Sequence, residues 1–292
     1  MSTPISDPTI RLIVNADDFG LSRSVNEGIL TAHHDGIVTS TTLLANGPAF
    51  DHAVSQLRGA PRLGVGVHLN ILRGAPLNPP NSLPLLTRDG HFHLTLSRMI
   101  HTFRPAMLKE IEREYTAQIE RVSGCGIAIT HLDGEKHHQQ FPPLFNLLPK
   151  LLAHHRIPAV RCAPEPPTTG YGLTKLVKIT MLNLFIWHNR HLLRTAHIPH
   201  PNRQEGIAMT GLMDASGLKT VLRRLPPGIS ELCCHPGRVD ADHTRQTAVF
   251  GSFYIDSTRE TELKLLISPA IRTCVAQAGI RLITYRELSH QG

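Results

Sequence analysis

Asp17 and Asp18 follow the apolar run at residues 10–14 after Asn15 and Ala16, so two adjacent carboxylates stand where a buried strand opens into a loop. A carboxylate is costly to bury unpaired, and a metal ion is one partner that compensates it. Taken alone, the pair suits an Asx turn or a helix cap equally well. Other reactive side chains occupy comparable places. His68 ends the run at residues 63–70, and His131, Asp133 and Glu135 alternate through residues 130–138, with His137 and His138 close behind. Arg161 and His235 close two further apolar runs. Positions 131, 133 and 135 share one parity, so an extended chain presents an imidazole and two carboxylates on one side. Such a set of nitrogen and oxygen donors binds a divalent cation. Singly, His68 suits a core histidine and His235, before Pro236, a structural turn. The case for chemistry is their joint position at the ends of successive strands.

Those strands are predicted at residues 10–16, 38–45, 63–70, 127–133, 159–163, 229–235 and 280–285. Several are continuously apolar, as a parallel sheet covered on both faces requires. Residues 22–35, capped by Ser22 or Ser24, and 105–123 read as helices between them. Strand and helix in alternation predict an α/β fold, a single TIM-like β/α barrel of seven or eight units over residues 1–292. In a barrel the carboxyl ends of all strands share one face, which brings the candidates above to one pocket. Two connections are long: residues 73–88 after the third strand, and an insertion at about 164–228 after the fifth. Within the second, residues 173–194 interleave large apolar side chains with Lys175, Lys178, Arg190 and Arg194 and hold the only tryptophan. This stretch reads as a core-packed amphipathic helix or as a helix that meets a lipid surface, giving peripheral membrane contact.

The bulk properties exclude more than they specify. A formal charge of +7 attracts something anionic. Aromatics are 5% and no zinc finger, basic zipper or Lys/Arg tract occurs, so no nucleic-acid partner is expected. The opening residues lack a signal-peptide pattern and no window suits a membrane span, which predicts a cytoplasmic protein, peripheral at most to the inner membrane face. The 5 cysteines include no Cys-x-x-Cys and are expected reduced and buried. A homodimer is compatible with the sequence but not dictated by it.

The chain resembles the YdjC-like carbohydrate deacetylases through residues 12–21, Gly36 to Thr42, Asn46-Gly47, Gly66 to Leu69, Thr130 to Asp133, Phe141-Pro142, Cys234 to Pro236 and Thr261 to Leu263. The resemblance implies a metal-dependent barrel that hydrolyses an N-acetyl group from an amino sugar. It implies Asp17 as general base, with Asp18 and His68 on the metal. One departure stands out. Where better-known members carry a second metal histidine, this chain has Glu135, with His137 or His138 as alternatives. A glutamate makes the donor set richer in oxygen and favours Mg²⁺, with Mn²⁺ or Zn²⁺ as alternatives. In the mechanism so implied, His235 is the acid that protonates the leaving amine, and Arg161 orients a carboxylate. The Gly134-Glu135-Lys136-His137 version of the motif looks most like the branch associated with hopanoid biosynthesis, which implies an N-acetylglucosaminyl hopanoid as substrate. Two other functions fit the same residues: a metal-dependent phosphoester hydrolase, and a non-catalytic glycolipid-binding protein with a decayed metal site.

Overall fold

The computed structural model describes residues 9–168 and 170–288; the opening residues weighed above for a signal lie outside that range. Seven parallel strands form one curled sheet: β1 (Ile10–Phe19), β2 (Ser40–Leu43), β3 (Gly64–Leu69), β4 (Ile129–Gly134), β5 (Arg203–Glu205), β6 (Gly228–Cys234) and β7 (Arg281–Ile283). The order is β4-β3-β2-β1-β6-β5. β7 pairs with the first half of β1, through Arg11 to Ile13, while β2 pairs with its second half from Asn15 onward. Where the strands are apolar, both faces are covered: Leu12, Ile13, Val14, Val67 and Leu132 are all fully buried.

The helices follow from equally local causes. α1 (Arg23–His34) starts at Ser22, whose hydroxyl accepts the Val25 N–H at 3.2 Å. α2 (Pro105–Ser123) opens on proline and buries Ile111, Tyr115, Ile119 and Val122 along one face. α3 (Leu173–Thr195) is the long helix of the insertion, and α4 (Thr258–Leu266) lies near the carboxyl end. Among the described residues no helix is long and apolar enough to cross a membrane.

The structure departs from the expected strands at one place. Residues 159–163 form no regular strand; they make a single parallel bridge, Leu132 to Val160. The backbone there is shared out instead: Arg161 N–H donates to Leu132 O, Val160 N–H to Pro199 O, and Gln204 N–H to Pro164 O. Two prolines, Pro158 and Pro164, flank the run, and neither has the N–H a ladder needs. The regular strand in this region is β5, inside what the sequence presents as an insertion. Thus a curled parallel sheet is established, and an eight-stranded TIM barrel is not. Of the cysteines, Cys162, Cys233, Cys234 and Cys274 are buried and Cys125 is exposed, all of them free.

Candidate active site

Asp17 and Asp18 both line one cavity at the carboxyl end of the sheet, although neighbours on an extended strand point to opposite faces. The conflict is resolved at Asp18, whose φ of 70° is left-handed and coincides with a shift in β1–β2 register between Ala16 and Phe19. Aspartate tolerates this region better than most residues. The same device recurs after β4: Lys136 and His137 have φ of 53° and 59°, and Glu135, Lys136 and His137 all line the cavity. His68, His235 and Tyr254 complete its acidic and imidazole wall.

Register explains the pairings. β3 sets His68 opposite Asp133, and the His68 Nδ1 lies 2.7 Å from Asp133 Oδ1. That bond leaves Nε2 for the cavity, where it stands 3.8 Å from Asp18 Oδ1. The other Asp18 oxygen accepts from Arg259 at 2.6 Å. Burial would raise the Asp18 carboxyl, but Arg259 and His68 together hold it below its ordinary value.

Beneath the cavity, Arg161 is fully buried and gathers three carboxylates. It donates to Asp17 through two nitrogens at 2.8 and 2.7 Å, approaches Asp133 at 2.6 Å, and donates to Glu231 at 2.8 Å. Burial alone would push Asp17 up, yet the adjacent guanidinium holds it well below the usual carboxylate range. Asn15 Nδ2 and the Cys233 thiol also donate to Asp17, at 2.8 and 3.3 Å. Glu231 in turn accepts from Tyr285 at 2.5 Å. The Tyr285 ring stacks on His131, with centroids 3.6 Å apart. Asp133 and His131 therefore share the interior side that strand parity predicts, at a greater depth than the cavity wall.

The remaining candidates separate by partner. His131 packs under Tyr285 and bonds Thr130 through Nδ1 at 2.9 Å. His138 is held at both nitrogens, by Tyr115 Oη at 2.6 Å and Glu135 O at 2.8 Å. His137 faces the cavity, and burial keeps its imidazole well below the ordinary histidine range. The His235 backbone N–H donates to Glu262 at 2.6 Å, which fixes the turn carrying its ring to the cavity rim.

A cation fits this arrangement. Glu135 is buried and raised by that burial; one of its oxygens accepts from Tyr254, and the other, Oε2, has no hydrogen-bond partner. The five carboxylates here (Asp17, Asp18, Asp133, Glu135, Glu231) face Arg161 and Arg259, with Lys136, Lys175 and Lys178 on the cavity wall, and Glu135 Oε2 stays unpaired among them as a donor for a cation. Asp18 Oδ1, His68 Nε2 and Glu135 Oε2 are the atoms left for it. Among the described residues the groupings whose donor atoms all lie within 4.8 Å of one another are different ones, Asp17 with His68 and Asp133, and Asp17 with Cys233 and His235. Their carboxylates are already committed to Arg161.

Sequence reasoning did not anticipate Tyr254, Arg259 or the three lysines of the cavity wall. Lys175 and Lys178, read as charges on a helix either core-packed or facing a lipid surface, line the cavity with Lys136. Burial, and then Lys175, pull the Lys178 ammonium down to about 8. Lys175 donates to Thr210 O at 2.8 Å. The available signal was their spacing of three on a helix, which sets both on one face.

The sequence profile described as YdjC-like protein matches residues 11–277. A carbohydrate deacetylase of Geobacillus stearothermophilus is 32% identical over 94% of this chain and 96% of its own. Another, of Brevibacillus brevis, is 31% identical over 96% and 100%. A solved structure from Enterococcus faecalis, described as a candidate cellobiose-phosphate cleavage protein, superposes with a TM-score of 0.78. It is 23% identical over 96% of this chain and 99% of its own, a likeness of fold.

Proposed function

Because the chain belongs to the YdjC-like protein family, we propose that its cavity hydrolyses the N-acetyl group of an amino sugar and releases acetate. The protein is an enzyme, a hydrolase of the carbohydrate deacetylase class. The observation that supports the reading most is the meeting of Asp17, Asp18, His68, Glu135 and His235 around one cavity.

Asp18, His68 and Glu135 would hold the cation, with Mg²⁺ favoured over Mn²⁺ or Zn²⁺ by the oxygen-rich set. A bound cation supplies Lewis acidity toward the acetamide carbonyl and lowers the pKa of the attacking water. Asp17 accepts the proton of that water at a carboxylate oxygen. Arg161 keeps Asp17 ionised and fixes its direction, and Asp133 does the same for the His68 ring. His235 donates a proton to the departing amine nitrogen, which is too basic to leave as an anion. The products are acetate and a free amino sugar.

The finer substrate in this reading is an N-acetylglucosaminyl hopanoid, handled by a cytoplasmic single-domain barrel at the inner membrane face. Acetate release from that lipid and from diacetylchitobiose, with Mg²⁺, Mn²⁺ and Zn²⁺ supplied separately, tests it. Release from the lipid alone supports the hopanoid substrate. Release only from the chitooligosaccharide keeps the deacetylase and removes the lipid, and no release with any metal removes both.

One observation favours a second reading. Lys136, Lys175 and Lys178 on the cavity wall suit an anionic substituent, as a metal-dependent phosphoester hydrolase would require. Inorganic phosphate release from sugar phosphates, without acetate release from N-acetyl sugars, would favour it.

A further inference from the structure

Helix α3 is apolar on two faces, and the core uses only one. Ile179, Leu182, Ile186 and Leu193 are buried along its inner side. Leu173, Val177, Leu184 and Trp187 stand 75%, 60%, 64% and 78% exposed. Their spacings of four, seven and three residues set them along a single outer stripe. A helix that only covers a core is polar on the side facing water. Among the described residues the other exposed large hydrophobics are Leu212 and Val249, so the stripe concentrates most of this surface on one element. Contiguous apolar surface of this kind marks an interaction site.

Charge identifies what covers it. No Asp or Glu occurs between Glu165 and Glu205, while Arg194, His188, His191 and His197 are exposed at the end of the stripe. The covering partner must be apolar inside and anionic at its edge. A second copy of this chain meets only the first demand, because a two-fold contact on the stripe would bring two acid-free segments together. An anionic phospholipid surface meets both.

We propose that α3 lies against an anionic bilayer, with Leu173, Val177, Leu184 and Trp187 in the acyl boundary and Arg194 among the headgroups. The inner side of the same helix carries Lys175 and Lys178 on the cavity wall, so docking holds the cavity beside the membrane. The inference goes beyond the chemistry proposed above, since it stands on the exposed face and needs no particular substrate.

Trp187, the only tryptophan of the chain, reports directly on the contact. Its emission should shift to the blue on adding phosphatidylglycerol vesicles, be quenched by brominated acyl chains, and revert in high salt. The Val177→Asp/Leu184→Asp variant, altered only at exposed positions, should lose the shift while keeping its circular dichroism and its turnover of soluble substrate. Absence of any shift with vesicles would overturn the proposal. So would an equal shift with phosphatidylcholine, or a lipid-free shift that follows protein concentration and so reports a second copy.

Discussion

Asp133 holds the Nδ1 of His68 at 2.7 Å and so turns Nε2 toward Asp18, 3.8 Å away. A carboxylate behind a histidine in this manner sets the ring's tautomer and raises its basicity. Burial would lower the imidazole, but Asp133, Asp17 and Asp18 carry it up to about 9. In the absence of metal the ring thus holds a proton at neutral pH, and a cation binding Nε2 must displace it. The proton is bound below that value and absent above it. Affinity for Mn²⁺ should therefore rise about tenfold per pH unit up to about pH 9 and then level off. Calorimetric titration in buffers of different ionisation enthalpy would count the released proton; affinity independent of pH would remove His68 from the metal.

Tyr254→Phe should act on the same site from behind. It removes the hydroxyl that directs one Glu135 oxygen while leaving the carboxylate in place. Loss of an orienting partner of this kind weakens metal binding by roughly 10–100-fold. Unchanged affinity in the variant would show that Glu135 is not a ligand, and Glu135→Gln would then be silent as well.

His131→Phe should leave metal binding and turnover near the parent level, because His131 is stacked on Tyr285 below the cavity. Gly66→Ala tests the same packing. A Cβ at Gly66 would lie 2.5 Å from the His131 ring, which Tyr285 prevents from retreating. Overpacking a filled interior costs about 1–3 kcal/mol, readable in urea unfolding. A His131→Phe variant that folds but binds no metal would return the imidazole to the ligand set.

The apolar runs that became β1, β2, β3, β4, β6 and β7 were legible because burial on both faces demands unbroken hydrophobicity. The arrest of the first run at Asp17 was legible for the same reason: carboxylates there need a partner. β5 was not, since Arg203-Gln204-Glu205 carries no apolar signal and is a strand only through its pairing with β6. Parity gave the direction of His131, Asp133 and Glu135, but depth depends on Tyr285 and Arg161, which arrive from distant segments. The left-handed turn at Asp18 that swings two adjacent carboxylates to one side has no signature beyond the residue's tolerance for it. Lys175 and Lys178 were legible as charges, and which face of α3 they occupied was decided by packing of Ile179, Leu182 and Ile186.

Arg161→Met should be among the most damaging single changes. It leaves Asp17, Asp133 and Glu231 buried without their common cation. Removing one partner of a buried ionic cluster costs about 3–5 kcal/mol. The acid side should change too. Asp17 is depressed in the fold, so its contribution is present above the unfolded carboxylate value and lost as pH falls through the folded one. Without Arg161 that loss should begin at higher pH, visible as an earlier acid transition in circular dichroism.

Asp17→Asn separates the proton acceptor from the metal site. The amide keeps the size of the carboxylate and can still accept from Arg161 through one oxygen, but it cannot take a proton from water. Asp18, His68 and Glu135 are untouched, so metal affinity should remain within a few-fold of the parent. The chemical step should fall by roughly 10²–10⁴, the range that general-base catalysis contributes. An interaction made only in the transition state lowers kcat and kcat/KM together. Because the substitution also leaves part of the Arg161 charge uncompensated, unfolding midpoints must be measured beside the kinetics. A folded, metal-loaded Asp17→Asn protein with parent activity would end the assignment of Asp17, and with it the reason for the Arg161 clamp beneath it.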